Sequence, residues 1–146
     1  MNEKQMKDRT KKFCYRAIDL AAALPNTDLG RIVSKQLMRA CTSVASNYRA
    51  ACRGKSSPDF IYKLGVVEEE ADECMFWMEL IMDKKLQLRE RVEPLYKEAD
   101  EILSIIVASI RTSRENKSPN SQSSTKKPPE PRPRNPKSKI QNPKSA

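Results

Sequence analysis

Apolar residues return along most of this chain at spacings of three and four, the repeat that stacks side chains on one face of an α-helix at about 100° per residue. Four such stretches are separated by short polar breaks, and no alternating stretch predicts a strand. The first runs from about Glu3 to Leu24 on Met6, Phe13, Ala17, Leu20 and Leu24, and Pro25 stops it. Asn26, Thr27 and Asp28 offer side-chain oxygens to cap a second helix carried to about Arg53. Its apolar stripe is Leu29, Val33, Leu37, Ala40, Val44, Tyr48 and Ala51, and Gly54 ends it. Ser57 as cap, Pro58 in the first turn and Asp59 at the positive helix end predict a third helix, reaching about Asp83. Its stripe is Phe60, Leu64, Val67, Ala71, Cys74, Met78 and Ile81. The fourth spans about Glu90 to Ser113 on Val92, Leu95, Ala99, Ile102, Ile106 and Ile110, with Pro94 expected in the opening turn, where an N–H has no intrahelical partner. Three short connections between helices of similar length predict an all-α fold, an antiparallel up-down-up-down four-helix bundle.

The last stretch breaks the pattern. Residues 115–146 hold seven of the ten prolines, no aromatic residue and the isolated Ile140, which predicts a disordered basic tail beyond a bundle of residues 1–114. NPKS recurs at Asn135 and Asn142, a period of seven residues that suits translated repeat DNA. The rival reading is a basic arm that strengthens nucleic-acid binding. Of the formal charge of +9, residues 1–114 carry +3 and residues 115–146 carry +6.

Charge inside the bundle is sorted by helix, with +4 on residues 28–53 and −7 on residues 58–83. Opposite rims could attract within one subunit at modest gain. Alternatively, the positive face of one copy meets the negative face of the next, a heterologous contact that closes into a ring when the rotation allows. Glu69, Glu73, Phe76, Trp77 and Leu80 lie off the core stripe of the third helix and are the expected oligomer interface. Arg31, Lys35, Arg39, Arg49 and Arg53, extended by Lys55, form the candidate nucleic-acid site, because the arginine fork matches phosphate. No aromatic residue is interleaved along that stripe, so binding is expected to rest on phosphates and to depend steeply on salt.

Reaction chemistry is not advertised. The acids Glu68, Glu69, Glu70, Asp72 and Glu73 lack the Glu-x-x-His partners of di-metal bundles, since the chain has no histidine. Cys14, Cys41, Cys52 and Cys74 form no CxxC pair and are expected to be buried reduced thiols. Ser43 has no histidine base. No catalytic residue, metal, cofactor or small-molecule substrate is therefore expected. The row Gln36, Ser43 and Asn47, at the edge of the second stripe, either fixes helix register by hydrogen bonds or contacts a ligand. The apolar run from Ile102 to Ile110 falls far short of the roughly 20 residues of a membrane span, and no secretory segment follows the charged start. A cytoplasmic protein without a membrane partner is expected.

QLMRACTSVASNYRAACRGKSSPDF followed by EEEADECMFWMEL resembles the bacterial four-helix-bundle family of proteins encoded in intervening sequences of large-subunit ribosomal RNA. The resemblance covers roughly Thr10 to Arg114, with Gln36, Leu37, Arg39, Ala40, Ser43 and Asn47 in the second helix and the acid Glu73 in the third. After Asn47 many members read close to IAEG where this chain has YRAACRG, so it resembles a distinct branch. The resemblance implies an antiparallel bundle, assembly as a ring of five and no enzymatic activity. The related accessory variability determinant of diversity-generating retroelements implies a nucleic-acid partner and a reverse transcriptase, met through a positive ring surface. The expected function is a non-enzymatic, homo-oligomeric adaptor binding RNA through the basic second helix. The alternative is a purely protein-interacting module whose charged faces are consumed in self-association.

Overall fold

The four apolar stripes become the four walls of one core. A computed structural model describes residues 1–116 and contains α1 (Glu3–Ala22), α2 (Asp28–Cys52), α3 (Ser57–Asp83) and α4 (Arg89–Glu115), with no strand among the described residues. The tail expected beyond residue 114 lies, from residue 117 onward, outside the described residues. Each helix packs on its sequence neighbours and α1 also packs on α4, whereas the diagonal pairs do not approach. α1 and α2, and likewise α3 and α4, meet in opposite sequence order. Lys7 and Arg49 line one hollow and Ala22 and Gly30 another, while Tyr96 near the start of α4 reaches Glu79 near the end of α3. None of the described helices is long and apolar enough to cross a membrane.

Leu37, Leu64, Met78, Ile81, Ile102 and Ile106 are fully enclosed, and burial of each such side chain stabilises the fold by roughly 1.5–3 kcal/mol. Thr10 joins them without cost in unpaired groups, since its hydroxyl donates to the carbonyls of Met6 and Lys7 at 3.0 and 3.1 Å. Three stripe assignments need correction, among them Phe60, which is only half-buried against the core. Leu29 sits in the first turn of α2 and is 38% accessible. Leu24 lies past the end of α1, half-buried against the core.

The helix ends follow local hydrogen-bonding demand. Asn2 and Gln5 form a reciprocal capping box on α1, with bonds of 2.8 and 3.0 Å that satisfy two otherwise orphaned N–H groups. Thr27 caps α2 by accepting from Gly30 at 3.1 Å. Ser56, not Ser57, caps α3, which shifts Pro58 one place into the helix. α4 has no side-chain cap, and it begins at Arg89, so Pro94 falls in its second turn and withholds the N–H that would reach the Glu90 carbonyl. Val92 and Leu95, both buried, hold that turn in place from either side of the proline. Between α3 and α4, Leu86 N–H bonds to Ile81 O and Lys85 N–H to Met82 O, at 2.9 and 3.1 Å, with Lys85 in the left-handed region at φ 53°.

The seam between the first and last helices has no connecting loop and carries a charged clamp instead. Arg9 forks onto both carboxylate oxygens of Glu98, with its Nε at 2.5 Å and its terminal nitrogen at 3.2 Å, and also pairs with Glu101. The hydrogen bonding that Arg9 donates to Glu98 leads in raising the Arg9 pKa above its ordinary value. The thiols of Cys14, Cys41 and Cys74 are buried and that of Cys52 is half-buried; all four are free, and Cys14 Sγ lies 4.0 Å from Cys41 Sγ.

Two glycines test the packing in opposite directions. A Cβ on Gly30 would lie 1.9 Å from the Pro25 carbonyl oxygen, where the chain turns tightly from α1 into α2. A Cβ on Gly65, inside α3, would meet nothing within 4 Å. Urea unfolding is expected to show Gly30→Ala destabilised by about 2 kcal/mol or more through overpacking, and Gly65→Ala stabilised by about 0.5–1 kcal/mol through helix propensity. Equal effects at the two positions would contradict the turn geometry.

Candidate nucleic-acid interface

The six predicted basic positions do not form one continuous site. Arg49, in the last turn of α2, and Arg53, its C-cap, face an open groove shared with α1. Arg31 turns back at the opposite end, pairing with Asp28 and donating to the Asn26 side chain at 2.9 Å. Lys35 lines a small hollow with Arg31, Leu24 and Pro25. Arg39 leans toward α3, where it acts on Glu70. Lys55 is exposed in the connection to α3 and does not line the groove.

What completes the groove comes from α1. Its volume is about 470 Å³, and Lys4, Lys7 and Lys11 face Arg49 and Arg53 across it, with Asp8 the one carboxylate in the lining. Tyr15 closes one end, its ring exposed, with Lys11 Nζ 5.8 Å from the ring centroid. The α2 stripe itself carries no interleaved aromatic residue; the aromatic group arrives from the neighbouring helix. A signal was present in the sequence, since α1 carries six bases against three acids, and Lys4, Lys7 and Lys11 recur at spacings that keep them on one side of that helix. Cys14 underlies the groove with its thiol buried against Cys41, and burial raises that thiol's pKa, so the groove offers no activated nucleophile there.

The row of Ser43 and Asn47 serves the α2–α3 rim. Asn47 Nδ2 donates to the Ser43 carbonyl and hydroxyl oxygens, both at 2.8 Å. Across the rim stand Glu70 and Glu73, and Glu73 accepts from Trp77 Nε1 at 3.2 Å. Burial pushes the Glu70 pKa up and the Glu73 carboxylate adds to the rise, while Arg39 and the Ser43 hydroxyl pull it back. Gln36 is half-buried on the same helix. Among the described residues no ion pair within 4 Å joins α2 to α3, although their net charges are opposite.

The expected interface on α3 is mixed in exposure. Phe76 is 54% accessible and packs edge-on to Trp77, with ring centroids 5.0 Å apart at 74°. Glu69 is also exposed. Trp77 and Leu80, expected to project outside the core, are half-buried against it, because their positions flank the stripe rather than oppose it.

The raised pKa of Glu70 has a signed consequence. The native state holds this proton more tightly than the unfolded chain does, so the contribution of Glu70 to stability is present in the acid range and is lost as pH rises through the raised native pKa. Glu70→Gln, which cannot ionise, is expected to be more stable than the native protein at pH 7. The difference should vanish as pH falls to the ordinary carboxylate range, as read by urea unfolding across a pH series. A variant less stable at neutral pH would show that the carboxylate itself holds the rim together.

Comparison with known proteins places this arrangement in a family. No curated protein matches the chain. A solved protein of unknown function from the S23 ribosomal protein family of Bacteroides thetaiotaomicron is 32% identical, with a TM-score of 0.71 over 76% of this chain and 99% of that chain. The family described as 23S rRNA-intervening sequence protein matches residues 2–108, which takes in α1, α2, α3 and most of α4. With four helices and a matching sequence over most of its length, the chain belongs to the 23S rRNA-intervening sequence protein family.

Proposed function

We infer that the chain is a self-associating adaptor that binds RNA through the groove between α1 and α2, and that its role is binding rather than catalysis. The observation that carries this reading is the convergence of Lys4, Lys7, Lys11, Arg49 and Arg53 on one open surface with a single carboxylate, Asp8. Cations held on two packed helices create a positive field before any ligand arrives, and a phosphate backbone that neutralises it releases its own counterions. The family's name, 23S rRNA-intervening sequence protein, connects it with ribosomal RNA and supports RNA as the polyanion.

Self-association uses different surfaces. The outer face of α3 offers Phe76 and Glu69, while Lys35 and Arg39 on α2 are exposed and have no ion-pair partner within 4 Å among the described residues. A head-to-tail contact between these faces would close a ring and leave the α1–α2 groove free on each copy.

Two experiments on the full chain test the reading. In filter binding with a hairpin RNA over a range of salt, Lys7→Glu combined with Arg49→Glu is expected to weaken affinity at least tenfold and to flatten the salt dependence. Unchanged affinity and slope would leave a purely protein-interacting module as the better account. In sedimentation velocity the native protein is expected to run as an oligomer and Phe76→Asp as a monomer with unaltered helical content. A monomeric native protein at micromolar concentration would remove the ring from the proposal.

A further inference from the structure

The groove combines features that phosphate binding alone does not require. Tyr15 presents 56% of its surface to solvent at the end where Thr42 and Ser46 also line the wall, while the cations continue toward Lys4 and Arg53. From Lys4 to Tyr15 the α1 wall extends for roughly 16 Å at the helical rise of about 1.5 Å per residue. Both hydroxyls are already donors to their own helix. Thr42 Oγ1 bonds to the Met38 carbonyl at 2.8 Å, and Ser46 Oγ to the Ser43 carbonyl at 3.4 Å. Toward the groove they therefore have lone pairs to offer to an incoming N–H or O–H. A cation track, an exposed aromatic face and acceptor hydroxyls are the three components of a site for an unpaired nucleotide.

We propose that the α1–α2 groove takes single-stranded RNA, with one base stacked on the Tyr15 ring and the adjoining phosphates held by Lys11, Lys7 and Arg49. This rests on the RNA-binding reading above and specifies the form of RNA. A duplex keeps its base faces inside the stack and presents phosphates and groove edges outward, so the tyrosine would gain nothing from it. A single strand exposes base faces that any aromatic side chain can cover, whatever the base. Lys11, whose Nζ lies over the Tyr15 ring, brings charge to the same place as the stacking surface, so a nucleotide seated on Tyr15 meets a phosphate partner without reaching along the helix. Ala45 gives the wall between the cations an apolar surface on which the edge of a base can rest.

The test compares an unstructured oligouridine with an RNA duplex of the same length, at equal salt, against the full-length protein. The native chain is expected to bind the single strand at least tenfold more tightly. Tyr15→Ala should lose about five- to a hundredfold on the single strand and little on the duplex, whereas Tyr15→Phe, which keeps the stacking face, should retain native affinity. Because Tyr15 projects from the core, circular dichroism of both variants is expected to match the native protein. Equal binding of strand and duplex, with Tyr15→Ala unchanged, would overturn the base-stacking site and leave phosphate-driven RNA binding standing. Failure of the native chain to bind either RNA would overturn both.

Discussion

None of these helices is built to stand alone; each persists because two neighbours cover its apolar stripe. Helix nucleation costs more than a single hydrogen bond returns, and in proteins most helical stability comes from packing an amphipathic face rather than from propensity. Two local defects show how far tertiary packing carries the load. α4 begins without a side-chain cap and tolerates Pro94 in its second turn, yet Val92 and Leu95 are enclosed on either side of that position. Lys85 holds a left-handed conformation that usually falls to glycine, and the Leu86 side chain beyond it packs against the core. The shared interior forces the chain to accept backbone arrangements that its local sequence does not favour.

The same requirement decides which charges meet. Once the stripes of α1 and α2 are turned inward, the flank of α1 bearing Lys4, Lys7 and Lys11 is set beside the flank of α2 bearing Arg49 and Arg53. The repulsion between them is moderated by solvent and by Asp8, and the site stays open instead of collapsing onto a matching acidic surface. On the other side of α1, Arg9 finds Glu98 and Glu101, so one helix presents a neutralised flank toward α4 and a cationic flank toward α2. This partition within α1 gives the molecule a sided character that the total charge hides.

The fold was legible because periodicity is a property of one helix at a time. Val33 through Ala51 and Val92 through Ile110 announce their burial by spacing alone, and the α4 stripe is buried at each predicted position. The candidate site was half legible for the complementary reason. Arg49 and Arg53 stand out on α2, but their partnership with Tyr15 and Lys7 depends on the rotation and axial register of a second helix, which no single-helix pattern contains. Flanking positions were hardest to place. Trp77 and Leu80 sit at the margin of a stripe, where a small rotation decides between solvent and core, and Leu29 fits the repeat but lies in the first turn of its helix, where it stays exposed. The cap of α3 moved by one residue because adjacent serines offer the same chemistry, and only the backbone at Ser56 is extended enough to use it.

Cys14, Cys41 and Cys74 contribute thiols to a sealed interior, and burial pushes the Cys41 thiol up to about 12. Oxidants attack thiolates, and each oxygen added to sulfur needs room that a close-packed interior does not supply. Folded copies are thus shielded from oxidative damage at these positions, while a copy caught open exposes soft sulfur at once. Irreversible modification there would keep the helices from closing again, so the bundle's history of opening is written into its sulfur chemistry.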